Sequence, residues 1–141
     1  MTKAEMERLA EAARAASGRA YAPYYGFFVG SALLGKSGRV YTGCNIENAS
    51  FSPTICAERS AVAKAVSEGE REFLAIAVCG GPGGKLDRRC TPCGVCRQVL
   101  REFCADDFPV ILAGPEDWEV LTLQDLLPYS FSAASLAPKG E

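Results

Sequence analysis

Histidine is absent from all 141 residues. The side chain most often used as a general base near neutral pH, and one of the usual zinc ligands, is therefore not available. Proton transfer falls to carboxylates, and any metal site falls to cysteine. An excess of charge is also lacking. Fifteen basic and 17 acidic residues give a net charge of -2, which offers no basic surface for nucleic acid or an anionic membrane. No apolar run approaches the roughly 20 residues that span a bilayer. The opening stretch, Met1 to Ala10, carries charges throughout and has no apolar core of a signal peptide. These absences predict a cytoplasmic protein with no membrane and no nucleic-acid partner. No repeat, linker or low-complexity segment interrupts the chain, and its length suits one domain over residues 1–141 with a real core.

What is present is cysteine, seven in all. Without an export signal they read as reduced thiols and metal ligands, not as a disulfide frame. Two stretches stand out: Cys56-Ala57-Glu58-Arg59 and Thr91-Pro92-Cys93-Gly94-Val95-Cys96-Arg97. Together they supply three thiolates and one acid that need not be a ligand. Three protein ligands around zinc leave a fourth position for water, as in catalytic sites. Metal-activated water beside a carboxylate is a device for hydrolysis near neutral pH. Cys56 falls at the start of one expected helix, and Cys93 and Cys96 in the first turn of another. The i, i+3 spacing of that pair puts both sulfurs on one helical side, and Pro92 suits a helix entry. Positive helix N-termini favour thiolate, the metal-binding form. Arg59 and Arg97 each adjoin a candidate ligand and can donate to sulfur, surface solvation being the alternative for both. Glu58 is the candidate proton carrier, the alternative being an ordinary exposed helix glutamate. A closed structural zinc site using Cys90 as fourth thiolate, or an iron–sulfur loop, remains open on spacing alone, although the usual cluster continuation is missing. Cys44, Cys79 and Cys104 sit in apolar surroundings and read as inert buried thiols.

Along the chain, Thr2 and Glu5 form a capping box for an amphipathic helix over 3–17. Phe27–Leu34 and Arg39–Cys44 read as a hairpin around Gly35-Lys36-Ser37-Gly38. Asn45-Ile46-Glu47-Asn48 follows the second strand; spacing alone favours a solvated turn over a ligand-facing one. A helix is expected over Cys56–Ser67, packed through Ala57, Ala61, Val62 and Ala65. A buried strand should span Phe73–Cys79, and a mobile glycine-rich loop Gly80–Arg89. A helix over Cys93–Phe103 and strands at Pro109–Ala113 and Glu119–Leu121 come next. A short helix over Thr122–Leu127 and a partly irregular tail from Tyr129 to Glu141 complete the chain. The order α-β-β-α-β-α-β-β-α implies one mixed sheet with helices on its faces.

At these residues the chain closely resembles the small, homotetrameric type of cytidine deaminase. The matching blocks are Tyr21-Ala-Pro-Tyr24, Phe27-x-Val-Gly30-x-Ala-Leu-Leu34, Gly43-Cys-Asn-Ile-Glu-Asn48, Cys56-Ala-Glu-Arg59, Ala65-Val-Ser-Glu-Gly69, Pro92-Cys-Gly-x-Cys-Arg-Gln-Val99 and Leu126-Leu-Pro128 with Phe131. The cysteine blocks form the all-cysteine variant of the zinc nucleobase deaminase signature. The resemblance implies an α/β fold, a three-layer α-β-α sandwich around one mixed five-stranded sheet. It implies one zinc per chain, bound by Cys56, Cys93 and Cys96, with Glu58 as proton shuttle. It implies that Phe27 packs on the pyrimidine, that Asn45 and Glu47 hold the ribose 3′-hydroxyl, and that Ala57 and Phe131 also contact substrate. The implied activity is deamination of cytidine and 2′-deoxycytidine in pyrimidine salvage, by a homotetramer with shared active sites. The competing readings are a deaminase of nucleoside analogues and a non-enzymatic zinc or redox module. Phe51 stands where some relatives carry tyrosine, Thr91 where serine is usual, and Cys90 is not a usual cysteine of the family.

Overall fold

Residues 1–86 and 89–136 are described by the structure, a computed structural model. The expectations for the loop 80–89 and the tail 129–141 fall in part on residues 87–88 and 137–141, outside the described ones. The helices are α1 (Lys3–Ser17), α2 (Ala57–Ser67), α3 (Gly94–Phe103) and α4 (Leu123–Leu126), with a 3-10 turn at Ala133–Leu136. The strands are β1 (Phe27–Gly35), β2 (Val40–Cys44), β3 (Phe73–Pro82), β4 (Pro109–Ala113) and β5 (Trp118–Thr122). They form one five-stranded mixed sheet in the order β2-β1-β3-β4-β5. Only the β3–β4 pair is parallel, and α3 is its crossover, as a parallel connection requires. Among the described residues no helix is long and apolar enough to cross a membrane.

The two sheet faces differ in residue size, and that difference sets how closely the helices approach. Along β1 and β3, Leu33, Ile76 and Val78 point to one side, where they meet Val62 of α2 and Leu100 of α3. Each such side chain contributes about 1.5–3 kcal/mol on burial. Ala32, Ala75 and Ala77 point to the other side and meet Leu9, Ala10 and Ala13 of α1. Here alanines and Gly30 let α1 lie almost on the sheet: a Cβ on Gly30 would sit 2.1 Å from the carbonyl oxygen of Ala13. The capping box of α1 is present, Thr2 and Glu5 each bonding the other's backbone N–H. Thr122 and Asp125 do the same for α4.

Three expectations need correction. The glycines after Cys79 do not begin a loop. β3 runs on to Pro82, because Gly80 pairs with Val29 and Gly81 with Phe28. Asn45–Glu47 is no solvated turn: Ile46 bridges Ile55 on one side and Tyr21 on the other, so the segment is an extended ribbon with Glu47 only 8% exposed. Cys44 is half-buried, unlike the buried Cys79 and Cys104, whose thiols burial pushes up, that of Cys104 to about 12.

The start of α2 is laced to the hairpin. Ser31, fully buried in β1, donates to the carbonyl of Ala57 at 2.8 Å, and Ser60 donates to that of Cys44 at 2.9 Å. Gly43 lies directly beneath, where an added Cβ would fall 2.3 Å from Ala57 O and 2.6 Å from Ala61 N. Both contacts are to backbone, so the helix itself must move. Gly43→Ala is therefore expected to destabilise the fold by at least the roughly 1–3 kcal/mol typical of overpacking. A fall in the urea midpoint at unchanged slope would measure it; an unchanged midpoint would mean that α2 can lift without cost.

Candidate active site

Two helices begin at one end of the sheet, and each is entered through a cysteine. Cys56 is the N-cap of α2 and Cys93 that of α3, both with extended backbone. Neither makes a side-chain capping bond; the two sulfurs face each other instead. The two Sγ atoms lie 3.6 Å apart. Cys96, one turn into α3 and fully buried, supplies the third, and the three sulfurs lie within 4.8 Å of one another. The N-cap placement differs slightly from the sequence reading, which put Cys56 and Cys93 inside their helices. An N-cap still faces the unpaired N–H groups and positive end of its helix.

The electrostatics follow from this cradle. Cys56 is held well below the ordinary thiol range by the hydrogen bond from Cys96 and by those from Arg59 and Cys93. Cys96 is pushed up because it holds the proton in that pair and is buried. The Arg59 guanidinium donates to Cys56 Sγ at 3.3 Å, and the thiolate pushes its own pKa up in return. Arg97 goes elsewhere: its Nε donates to Pro92 O at 2.7 Å and one terminal nitrogen to Leu126 O at 2.6 Å.

Glu58 occupies the first turn of α2 and is 3% exposed. Burial pushes its carboxyl up to about 7, and the Cys56 thiolate adds to the shift, against pulls from its own backbone N–H and the Cys96 thiol. Its Oε1 is buried with no hydrogen-bond partner among the described residues. An orphaned carboxylate oxygen beside three converging thiols asks for a cation or a polar ligand. Soft sulfur donors suit zinc, and two sulfurs each 2.3 Å from a tetrahedral ion would be about 3.8 Å apart, close to the 3.6 Å found. The residues present therefore fit a zinc ion. Cys90 lies outside the trio, with its sulfur against Gly80 of β3.

The bridged ribbon supplies a second wall. Asn45 extends the pairing of β1 through its side chain: Oδ1 accepts from Val29 N and Nδ2 donates to Phe27 O, each at 2.8 Å. It thereby fixes the backbone of the half-buried Phe27. Glu47 Oε1 accepts from Tyr24 N at 2.8 Å and Tyr25 N at 3.3 Å, while Oε2 makes no hydrogen bond among the described residues. A hollow of about 290 Å³, lined by Tyr24, Tyr25, Glu47, Asn48, Phe51 and Thr54, opens beside it. Ala57 is buried at the α2 start, whereas Phe131 is 59% exposed. Ser31 and the bonds of Arg97 escaped the sequence reading. A lone serine inside an apolar run was the only signal for the former, and nothing local pointed to the latter.

A family model described as the cytidine and deoxycytidylate deaminase zinc-binding region matches residues 3–112. The chain belongs to that family. It is 45% identical to the cytidine deaminase of Sporosarcina psychrophila over 97% of this chain and 98% of that one. It is 47% identical to the cytidine deaminase of Halalkalibacterium halodurans over 89% and 92% of the two chains. The crystal structure of cytidine deaminase from Burkholderia pseudomallei, 43% identical, superposes with a TM-score of 0.82 over 93% of this chain and 100% of that one. The deaminase fold thus extends beyond the zinc-binding region to almost the whole chain.

Proposed function

We propose that the protein hydrolyses cytidine and 2′-deoxycytidine to uridine and 2′-deoxyuridine with release of ammonia, as a single domain working in pyrimidine salvage. The observation that carries this is the convergence of three sulfurs beside a buried, unpartnered carboxylate oxygen. Cys56, Cys93 and Cys96 hold one zinc ion, which supplies the Lewis acidity that makes water nucleophilic near neutral pH. Arg59 offsets the surplus negative charge of three thiolates by its bond to Cys56.

Glu58 is the proton carrier. With its pKa raised to about 7, it can take a proton from the attacking water and pass it to ring N3 at comparable cost in each direction. It then relays a proton to the departing amino group, which leaves as ammonia. Burial excludes bulk water from this carboxyl, so the proton stays on the path. Ala57 carries one of the helix-start N–H groups that lack an intrahelical partner and presents it to the ring. Phe27, its backbone clamped by Asn45, packs on the pyrimidine. Asn45 retains one amide proton and Glu47 its Oε2, and these hold the ribose 3′-hydroxyl. A 3′-phosphate would meet the Glu47 carboxylate and be repelled. The free nucleoside is therefore the substrate in this reading, as against a nucleotide or polynucleotide.

The assembly is a homotetramer in which Phe131 completes the site of an adjacent chain. Tyr24, Tyr25, Phe51, Tyr129 and Phe131 are all more than half exposed, an aromatic surface that a lone chain leaves in water. The direct test is the ultraviolet absorbance change on mixing purified protein with cytidine, with and without a chelator. Conversion that a chelator abolishes and zinc restores supports the reading; none under either condition removes it. The non-enzymatic alternative needs Cys90 as a fourth ligand. Cys90→Ser is expected to keep one zinc per chain by metal analysis and near-parent turnover, and loss of zinc would favour a closed structural site.

A further inference from the structure

Two adjacent residues of α3 reach to the C-terminal segment. Arg97 spans Pro92 O, the residue before Cys93, and Leu126 O at the end of α4, at 2.7 and 2.6 Å. Gln98 donates its amide to Phe131 O at 2.9 Å. Arg97 forms no ion pair among the described residues, so its guanidinium serves carbonyls alone. Between the anchors at 126 and 131 the chain turns sharply, with Tyr129 at φ 54°. A non-glycine residue in that region is costly and persists where its surroundings fix it. The side chains of Tyr129 and Phe131 face outward, so no burial of these rings on their own chain holds the turn. Leu126 is anchored in the core; beyond it, the bonds from α3 tie the turn to the helix.

We propose that Arg97 and Gln98 are positioning residues, a two-point clamp that fixes residues 126–131 against the helix start bearing Cys93 and Cys96. The clamp sets where Phe131 is presented relative to the thiolate cradle, and its catalytic consequence rests on the reading that Phe131 meets the substrate bound by an adjacent chain. The requirement for arginine is geometric. A planar fork can serve two carbonyls in fixed directions, whereas a lysine ammonium of the same charge can hold one and release the other.

Hydrogen exchange on the zinc-loaded protein tests the clamp without reference to turnover. In Arg97→Lys and Gln98→Ala, amides of residues 127–136 should exchange roughly ten- to a hundredfold and severalfold faster, respectively, as expected for losing a bond to a charged and to a neutral donor. Exchange in β3 and β4 should not change, which reports that the fold is intact. In turnover, Arg97→Lys should raise KM for cytidine more than it lowers kcat, with one zinc retained. Added to Phe131→Ala, it should cost little more, because both act through one ring. Unchanged exchange at 127–136 in both variants overturns the clamp, as does loss of zinc from Arg97→Lys, which would make Arg97 a support of the metal cradle instead. Faster exchange together with a harmless Phe131→Ala would sustain the clamp and remove the role of Phe131.

Discussion

Replacing Glu58 by glutamine is expected to leave a folded, zinc-binding protein whose cytidine turnover falls by more than roughly 10⁴-fold. One acid/base group is typically worth about 10²–10⁴, and in the proposed mechanism a single carboxyl serves the water, N3 and the leaving amine in turn. A 10⁴-fold loss is about 5 kcal/mol of barrier. Glutamine has the same shape and can still hydrogen-bond, but cannot carry a proton, so binding should suffer far less than kcat. Near-parent turnover in this variant would refute the role given to Glu58. Stability supplies an independent readout. The folded-state pKa of Glu58 is raised from 4.5 to about 7, so the folded state binds its proton more tightly than the unfolded state does. That difference is neutral below about 4.5, weakens the fold as pH rises from there to about 7, and is fully present as a cost above it. At pH 8 the metal-free glutamine variant should therefore melt higher than the metal-free parent, and a lower melting temperature would contradict the burial cost. Higher stability with lost activity is the trade expected where a site holds a desolvated charge for its chemistry.

Much of the fold was legible because local signals agreed with one another. The Thr2–Glu5 capping box, the turn at Gly35–Gly38 and the apolar run at Phe73 each specify one structure, and the sheet order is an economical way to cover a doubly buried β3. What was not legible depended on partners distant in the sequence. Gly80 and Gly81 read as loop because glycine is a poor strand former, yet their pairing with β1 decides otherwise. Asn45–Glu47 read as a solvated turn because polar residues after a strand usually are one; Tyr21 and Ile55, brought in from both sides, make it a ribbon. The chemistry of Cys56 and Cys93 calls for their convergence, but no spacing could show that two helix starts bring their sulfurs within 3.6 Å. Adjacency offers Arg97 the nearest sulfur or bulk solvent, while its hydrogen bonds run to carbonyls, one of them 29 residues away. Adjacency in sequence is a weak guide for a long side chain, because its reach exceeds one helical turn.

Mixing two impaired chains should restore turnover that neither has alone. Phe131 is 59% exposed, and its backbone is tethered to α3, so its ring is presented outward and can reach a neighbouring molecule. If it closes an adjacent chain's site, each working site needs Glu58 from one chain and Phe131 from another. Glu58→Gln chains retain the ring and lack the proton carrier; Phe131→Ala chains have the reverse defect. After exchange at equal concentrations, about a quarter of sites should combine both intact residues, the product of two one-half chances in a symmetric assembly whose chains mix at random. Against the Glu58→Gln background this is a rise of several orders of magnitude. The rise should be in kcat per total protein at parent KM, because rescued sites are complete while the rest are silent or weak. Exchange must be shown separately, for instance by mass spectrometry of isotopically labelled mixed assemblies. No recovery despite proven exchange, or a fully active monomer in light scattering, would mean that Phe131 serves its own chain or none. Recovery needs a ring crossing between subunits, because two chains defective within their own separate sites cannot complement each other.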